Sequence, residues 1–390
     1  MDGCQQGKRG VSVAPDTGMS FEYRVVRSAE EVEGLAQATP ELFEGHERFT
    51  RRFLASLPGN WLPRVAVVRR GGIVAGILYA REKTIGGVPT GLLSADTSLT
   101  GMFCAEESER RGVFVTALKA LLAEKGTRGI RLVVAEGGDE HRAVLDTACL
   151  RAFDLDSSEW FPHGVLTLPG DYGQFLDKFG YKSRRNFRYY RRNFEAAGHS
   201  WVEKAGLHEL PGMVSALRAV CRFPGHKNEI ESHAATVLRS ERPLIAGLRH
   251  SNGAWLGMAA GWHDGPRATL LFQLQNDLGF ERESLSVVLR AYLIESLIAQ
   301  NAKELVFVNN VAGPLARHAD MQWIRTRRIY VDRRGTGWGM VRFAARMAGP
   351  RMPAAIRAVC GWIAPPAPER EGAGDAGQAF GGRIGNRPKD

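Results

Sequence analysis

The chain repeats one series of sequence patterns, and this repeat constrains its fold more than any other feature. Three pairs of segments match in the same order: 72–76 with 253–257, 118–122 with 289–293, and 132–134 with 305–307. Their spacing is similar, about 170 to 180 positions. The matches favour a duplicated unit of about 170 residues. Two ordinary α/β segments of similar composition are the alternative.

Each half is predicted to contain the same order of strands and helices. Alternating apolar residues, turn residues and helical spacing give these assignments. The first half has a strand at 21–27, helices within 29–57 that break at Pro40, a hairpin around Gly71 and Gly72, a strand within 88–103, a helix at 108–125 and a strand at 130–134. The second half has strands at 242–249, 254–260 and 268–275, a helix at 283–300 and a strand at 304–308.

Composition, the length of apolar runs and the spacing of cysteines indicate the class of protein. Apolar residues make up 44% and charged residues 24%, as in folded soluble proteins. No stretch approaches the roughly 18 uninterrupted apolar residues of a membrane span. Residues 1–9 lack the apolar core of a signal peptide, and the five cysteines form no CxxC pair. We therefore expect a cytoplasmic protein without a disulfide framework or a metal site.

Changes in composition divide the chain into five predicted segments. Residues 1–20 form a disordered arm, 21–170 a first domain and 171–335 a second domain. Residues 336–363 form a basic appendage, split at Pro350 and Pro353, in which arginines alternate with apolar and aromatic residues. Such segments can lie on an anionic membrane surface, although a helix docked on the domain is the alternative. Residues 364–390 are rich in Gly and Pro and form a disordered tail.

The order strand, helix, hairpin, strand, helix, strand resembles that of GNAT-fold acyltransferases. The resemblance implies an α/β (α+β) fold with two GNAT-like domains, each a mixed, mostly antiparallel sheet flanked by helices. In that fold a helix N-terminus receives the cofactor pyrophosphate, because its first N–H groups lack acceptors. The first half offers 109–114 at this place, with the bulky Phe114 where the family has a small residue, which predicts a degenerate copy.

The second half offers residues 280–286 at the corresponding place. We predict that Arg282, Ser284, Leu285 and Ser286 bind acyl-CoA there as the co-substrate. A plainly capped helix is the alternative.

The segment 175–198 is strongly basic and contains a regular aromatic stripe. Phe187, Tyr190 and Phe194 recur at helical spacing, and five arginines occupy the remaining faces. Like charges at this density repel one another unless anions are near. A solvated basic face and a contact with an anionic substrate both remain open.

This helix resembles the S-x-x-x-R-x-x-x-R-x-x-R-x-x-x-x-x-G helix of the CelD-like acetyltransferases of cellulose and exopolysaccharide synthesis, relatives of the FemABX peptidyltransferases. Its matching positions are Ser183, Asn186, Arg188, Arg191, Arg192 and Gly198. The resemblance covers 171–333 and implies acyl transfer to an amine or hydroxyl. We predict that Arg188 and Arg191 bind substrate and face away from the aromatic stripe.

Acyl transfer needs an acceptor site and a group that removes the acceptor's proton. Gln273 and Gln275 lie two apart on one strand, and Asn309 and Asn310 follow the last predicted strand. No base is identified: Gln275, Glu283 and Asn309 are the catalytic candidates, and Gln273 and Asn310 are predicted to bind substrate. Four alternatives stay open, namely His263, Asp264, Asp277 and ordered water, although 263–265 favours a hairpin turn. Cys221 is predicted to lie in a core.

The leading function is therefore acyl transfer from acyl-CoA to a small-molecule or glycan acceptor in envelope, polysaccharide or specialised-metabolite chemistry. The net charge of +10 implies affinity for anions. The resemblance also allows an aminoacyl-tRNA donor, which ranks lower because basic charge alone does not identify RNA. A module without catalytic activity that holds a polyanion or an anionic membrane at the inner face is the remaining alternative.

Overall fold

The computed structural model of the chain describes residues 21–38, 43, 45–57, 59–146, 153–222, 227–280, 283–308 and 312–333. The predicted arm, appendage and tail lie outside the described residues. So do three of the predicted site residues, Arg282, Asn309 and Asn310.

The described residues form one 13-stranded sheet with helices on both faces. The strands are β1 (Phe21–Val26), β2 (Trp61–Arg70), β3 (Ile73–Ile85), β4 (Val88–Asp96), β5 (Met102–Cys104), β6 (Gly129–Ala135), β7 (Phe153–Thr167), β8 (Ser200–Val202), β9 (Pro243–Arg249), β10 (Trp255–Asp264), β11 (Arg267–Gln275), β12 (Glu304–Phe307) and β13 (Met321–Arg333). The helices are α1 (Ala29–Ala38), α2 (His46–Ala55), α3 (Arg110–Ala123), α4 (Asp139–Asp146), α5 (Tyr172–Asp177), α6 (Tyr181–Ala196), α7 (Leu210–Arg218), α8 (Lys227–Leu238) and α9 (Leu285–Ala299).

The predicted fold class is confirmed. The strand order is β1-β2-β3-β4-β6-β13-β7-β12-β11-β10-β9-β8, with β5 beside β3, and the pairings are antiparallel except for β4 with β6 and β11 with β12. Each half contains one such parallel pair, joined through a helix, α3 in the first half and α9 in the second. The two halves are thus built as the same unit.

The two units exchange strands at the centre of the sheet. The last strand of the chain, β13, pairs with β6 of the first unit through Thr326–Asp332. The strand β7 pairs with β12 of the second unit through its residues 164–167. Each of these long strands also pairs with the other along most of its length. The predicted boundary at 170/171 lies between β7 and α5, while β13 completes the sheet of the first unit.

Apolar side chains divide the helices between the two faces of the sheet. On one face, α3 and α4 cover the first unit, and α5, α6 and α9 cover the second. The other face, here called the front face, carries α1 and α2 over β1–β3 and α7 and α8 over β9–β11. Between those two clusters the front face carries polar and aromatic side chains from β4, β6, β13 and β7.

The two units also meet through their front-face helices. Arg239, just after α8, donates a hydrogen bond to the carbonyl oxygen of Ala55 in α2 at 3.2 Å. Ser232 of α8 donates to the Ser56 carbonyl oxygen at 3.5 Å. These hydrogen bonds join α2 to α8, so the two units contact each other on the front face as well as through the sheet.

Candidate functional site

Two parallel strands separate in the second unit and leave an opening in the sheet. Arg267–Leu270 of β11 pair with Glu304–Phe307 of β12. Beyond Leu270, β11 continues to Gln275 along β10. Among the described residues, no strand pairs with the β12 side of this last stretch of β11, so within that part of the chain its backbone N–H and C=O groups have no strand partner there.

The structure brings Gln273 and Gln275 together at this opening. The Gln273 Nε2 donates to Gln275 Oε1 at 2.8 Å, and the Gln275 Nε2 donates to Asp277 Oδ1 at 2.7 Å. Asp277 Oδ2 accepts from the backbone N–H of Arg222 at 3.0 Å and contacts Cys221 Sγ at 3.7 Å. Asp277 thus connects the two glutamine side chains to the segment after α7, and both oxygens of its carboxylate accept hydrogen bonds.

The helix α9 begins at the same opening. Ser284 precedes it in a left-handed conformation with φ of 49°, and its carbonyl oxygen accepts the N–H of Val287 at 2.8 Å. The Leu285 side chain is buried in the core, so only its backbone can contact a ligand, and Glu283 is exposed. The first N–H groups of a helix lack intrahelical acceptors, and an anion at this end of α9 would satisfy them.

A buried arginine, Arg290, lies one turn into α9 and was not predicted from the sequence. Its side chain is 4% exposed and donates to the Ser286 hydroxyl and, at 3.3 Å, to the Ser286 carbonyl oxygen. Burial lowers the pKa of its guanidinium to about 9. A Cβ at Gly313 would lie 2.8 Å from this guanidinium, so Gly313 makes room for it. Ser286, predicted to contact a cofactor, therefore also holds Arg290 in place.

The corresponding place in the first unit is packed and acidic. Glu106, Glu107 and Glu109 precede α3. Phe114 is fully buried, and a Cβ at Gly112 would meet the Phe21 ring at 3.1 Å. The three carboxylates are used in ion pairs, Glu106 and Glu109 with Arg70 and Glu107 with Arg110, and the glycine is used for packing against β1. These features favour the second unit as the cofactor site.

The basic helix α6 uses one of its predicted substrate-binding arginines for packing. Arg191 pairs with Glu195 at 3.0 Å and with Glu295 of α9 at 2.6 Å, and it stacks on the Tyr292 ring at 4.3 Å. Tyr292 also donates to Glu195 at 2.6 Å. The expectation that Arg191 faces away from the packed side of α6 is wrong, because its guanidinium lies between α6 and α9.

The opposite side of α6 carries three exposed arginines and two exposed tyrosines. Arg185, Arg188 and Arg192 lie on one side of the helix and form no ion pair with a carboxylate of the described residues. Tyr181 is 73% exposed and Tyr189 is 47% exposed. This surface, here called the α6 stripe, is about 16 Å long by the helical rise. Arg188 is thus exposed on this surface, and its substrate-binding role stays a prediction.

The other candidate bases have structural partners. Asp264 ends β10 at the predicted hairpin turn and pairs with Arg52 of α2. The backbone N–H of His263 bonds the Arg242 carbonyl oxygen at 2.9 Å, and burial lowers the pKa of its imidazole. Cys221 is half-buried and packs against the α7–α8 cluster. Among the described residues, no group of His, Cys, Asp and Glu is arranged to hold a metal, and none of the described helices is long and apolar enough to span a membrane.

The fold is that of FemX. The chain superposes on the FemX crystal structure with a TM-score of 0.54 and 10% identity, covering 78% of this chain and 96% of FemX. A tandem GNAT protein from the clavulanic acid biosynthesis pathway matches with a TM-score of 0.47 and 13% identity, covering 80% and 98%. The C-terminal domain of a putative lysylphosphatidylglycerol synthetase from Agrobacterium fabrum matches with a TM-score of 0.48 and 14% identity, covering 80% and 94%.

No protein-family profile matches the chain, and no curated protein sequence matches it. The similarity found is therefore one of fold.

Proposed function

We propose that the protein is an acyltransferase that moves an acyl group from acyl-CoA to an amine or hydroxyl acceptor. The observation that carries this proposal is the opening between β11 and β12 at the start of α9. An extended thioester arm can hydrogen-bond to the free side of β11, while its pyrophosphate meets the first N–H groups of α9. In the reaction the acceptor's nitrogen or oxygen bonds to the acyl carbon, the carbon–sulfur bond breaks, and the acceptor's proton is released.

The second unit supplies the donor site in this proposal. Its helix start carries Ser284 and Ser286, with one exposed carboxylate, Glu283, before them and Arg290 behind, whereas three glutamates precede α3. The first unit then serves as a structural partner that completes the sheet through β7 and β13. The acceptor belongs to envelope, polysaccharide or specialised-metabolite chemistry in this reading, in line with the CelD-like resemblance of α6.

A charge placed at Ser284 tests the donor site directly. Ser284→Asp puts a carboxylate before the helix, where aspartate is a good cap and tolerates the left-handed backbone, so the fold is kept. Ser284→Asn is the matched neutral control. We expect isothermal titration with acetyl-CoA and longer acyl-CoAs to show binding for wild type and Ser284→Asn, and binding at least tenfold weaker for Ser284→Asp. No heat with any thioester for wild type contradicts the proposal.

The α6 stripe favours a second candidate, in which an aminoacyl-tRNA is the donor. Arginines contact phosphates and exposed tyrosines stack on unpaired bases, and the stripe offers both. Filter binding with aminoacyl-tRNA, followed by assay of aminoacyl transfer to an amine, distinguishes this donor from a CoA thioester. Binding of tRNA and of other polyanions without any transfer would instead support the non-catalytic module.

A further inference from the structure

Two arginines face each other across a small residue on the front face of the first unit. In the strand register Arg81 of β3 lies opposite Ser94 of β4, and Ser94 lies opposite Arg131 of β6. Adjacent strands are about 4.8 Å apart, so the two arginine backbones are separated by roughly 10 Å. The serine side chain between them is short. The row therefore forms a cradle whose two walls are cationic.

In the part of the chain that the structure describes, neither arginine of this row has a carboxylate within ion-pair distance, although the charge of the neighbouring Asp96 attracts both. Arg81 stacks on the Trp61 ring at 4.7 Å, and Arg131 donates from Nε and Nη2 to the Ser94 hydroxyl at 3.2 and 3.0 Å. No carboxylate of the described residues forms an ion pair with either one. On the opposite face of the same sheet, Arg64 is paired with Glu82 at 2.5 Å. Arg81 and Arg131 thus differ from Arg64, whose guanidinium is paired directly with a carboxylate.

Burial makes the positive charges of Arg81 and Arg131 energetically unfavourable. Burial, with the repulsion from Arg131, lowers the pKa of Arg81 to about 10, and burial also lowers the pKa of Arg131. Both side chains nevertheless keep some contact with solvent. An oxyanion placed over Ser94 would accept hydrogen bonds from both guanidinium groups and relieve their repulsion.

An exposed carboxylate lies beside the cradle. Asp96 is two residues beyond Ser94 on β4, on the same face and about 7 Å away along the strand. Its Oδ1 accepts from the N–H and the hydroxyl of Ser98 at 3.0 and 2.6 Å. A Cβ at Gly101, where φ is 113°, would lie 2.0 Å from the Asp96 carbonyl oxygen, so the following loop folds closely over this strand end. Asp96 is therefore held in position.

We infer that Arg81, Ser94 and Arg131 bind the oxyanion of a small ligand and that Asp96 binds its ammonium group. The ligand class is an amine that carries a carboxylate or a phosphate at short distance. A simple dianion would be repelled by Asp96, and a simple amine by the arginines, so the site selects a molecule with both charges. The binding of this ligand is independent of the proposed function. The further step, that the ligand or a similar group on a larger molecule is the acyl acceptor, rests on the proposed function.

The test is titration of the full-length protein with four probes: glycine, acetate, phosphoethanolamine and inorganic phosphate. We expect each amine-bearing probe to bind at least fivefold more tightly than its partner without the amine. Preference for glycine identifies an amino-acid ligand, and preference for phosphoethanolamine identifies a phosphorylated amine; either result supports the site. No saturable binding of any probe, or equal affinity within both pairs, overturns it.

Variants locate the binding and separate it from the donor site. Arg81→Gln with Arg131→Gln should abolish binding, and Asp96→Asn should remove the preference for the amine. Arg69→Gln, an exposed arginine on β2, is the control and should change nothing. The melting temperature of the double variant should stay close to that of wild type, because the repulsion between the two guanidinium groups is removed and glutamine keeps a hydrogen-bonding side chain. If the probes still bind to the double variant, the inference is contradicted. If the wild-type protein binds the probes but not acetyl-CoA, only the proposed function is contradicted.

Discussion

Arg52 of the first unit and Asp264 of the second form a two-pronged ion pair, with distances of 2.8 Å from Nη1 to Oδ1 and 3.0 Å from Nη2 to Oδ2. The Trp262 Nε1 donates to the same carboxylate at 2.8 Å, and the Arg52 guanidinium lies 4.9 Å from the Trp262 ring. The Arg52 side chain is only 10% exposed. This cluster ties α2 to the β10–β11 turn and, with the exchanged strands, joins the two units.

Removal of the carboxylate should therefore loosen the whole molecule. Asp264→Ala leaves a nearly buried guanidinium without its partner, and we expect a loss of about 2–3 kcal/mol in the free energy of unfolding. Urea denaturation followed by circular dichroism measures the loss. Arg51→Ala, which removes exposed ion pairs to Glu47 and Glu241, is the control and should cost less than about 0.5 kcal/mol. Equal losses in the two variants would argue against this role of Asp264.

A buried histidine should make the stability depend on pH. His46 is 1% exposed, contacts the Tyr79 hydroxyl at 2.7 Å, and has its pKa lowered by burial to about 4. Between pH 6.5 and pH 4 the unfolded chain protonates this ring while the folded chain does not, so stability falls as the pH falls. We expect this group to remove about 2 kcal/mol between pH 7 and pH 5.

The His46→Gln variant isolates that contribution from the other histidines. Its free energy of unfolding should fall less than that of wild type between pH 7 and pH 5, when both are measured by urea denaturation. Identical pH profiles for the two proteins would show that His46 does not titrate as its burial requires.

Sequence patterns identified the repeated unit because its elements have strong local signals. The Gly71–Gly72 hairpin, the break between α1 and α2, and the helices α3 and α9 all follow from local turn and helix chemistry. The strands β7 and β13 were not predicted. They cross from one unit to the other, and β7 includes a polar stretch at 154–159 that reads as a loop when its neighbours are unknown.

The predicted site residues show the same limit. The pairing of Gln273 with Gln275 follows from the two-residue period of a strand. The packing of Arg191 against Glu295 depends on the neighbouring α9, which helical spacing alone does not identify. Arg81, Ser94 and Arg131 come from three separate strands, so only the sheet register brings them together.

Truncation of Arg191 should lower the stability of the protein, whereas truncation of Arg188 should leave it almost unchanged. Arg191→Ala removes the ion pair to Glu295 and the Tyr292 ring contact, which join α6 to α9, and an ion pair to Glu195 within α6. We expect a loss of about 1–2 kcal/mol in unfolding free energy. Arg188→Ala should change stability by less than about 0.5 kcal/mol, because the side chain is exposed. Thermal and urea denaturation of both variants check this. A larger loss for Arg188→Ala than for Arg191→Ala would contradict the packing seen here.

The α6 stripe should dominate any binding of nucleic acid. If Arg185, Arg188 and Arg192 each contact a phosphate of a single strand, the slope of log K against log salt includes about −2 from these three residues. The triple variant to Gln should weaken binding of a single-stranded RNA and reduce that slope by the same amount, while melting at the wild-type temperature. The matched control is Arg24→Gln with Arg27→Gln, exposed arginines at β1 on the far edge of the sheet. An unchanged salt slope in the triple variant, or an equal loss in the control, would place the nucleic-acid contact elsewhere.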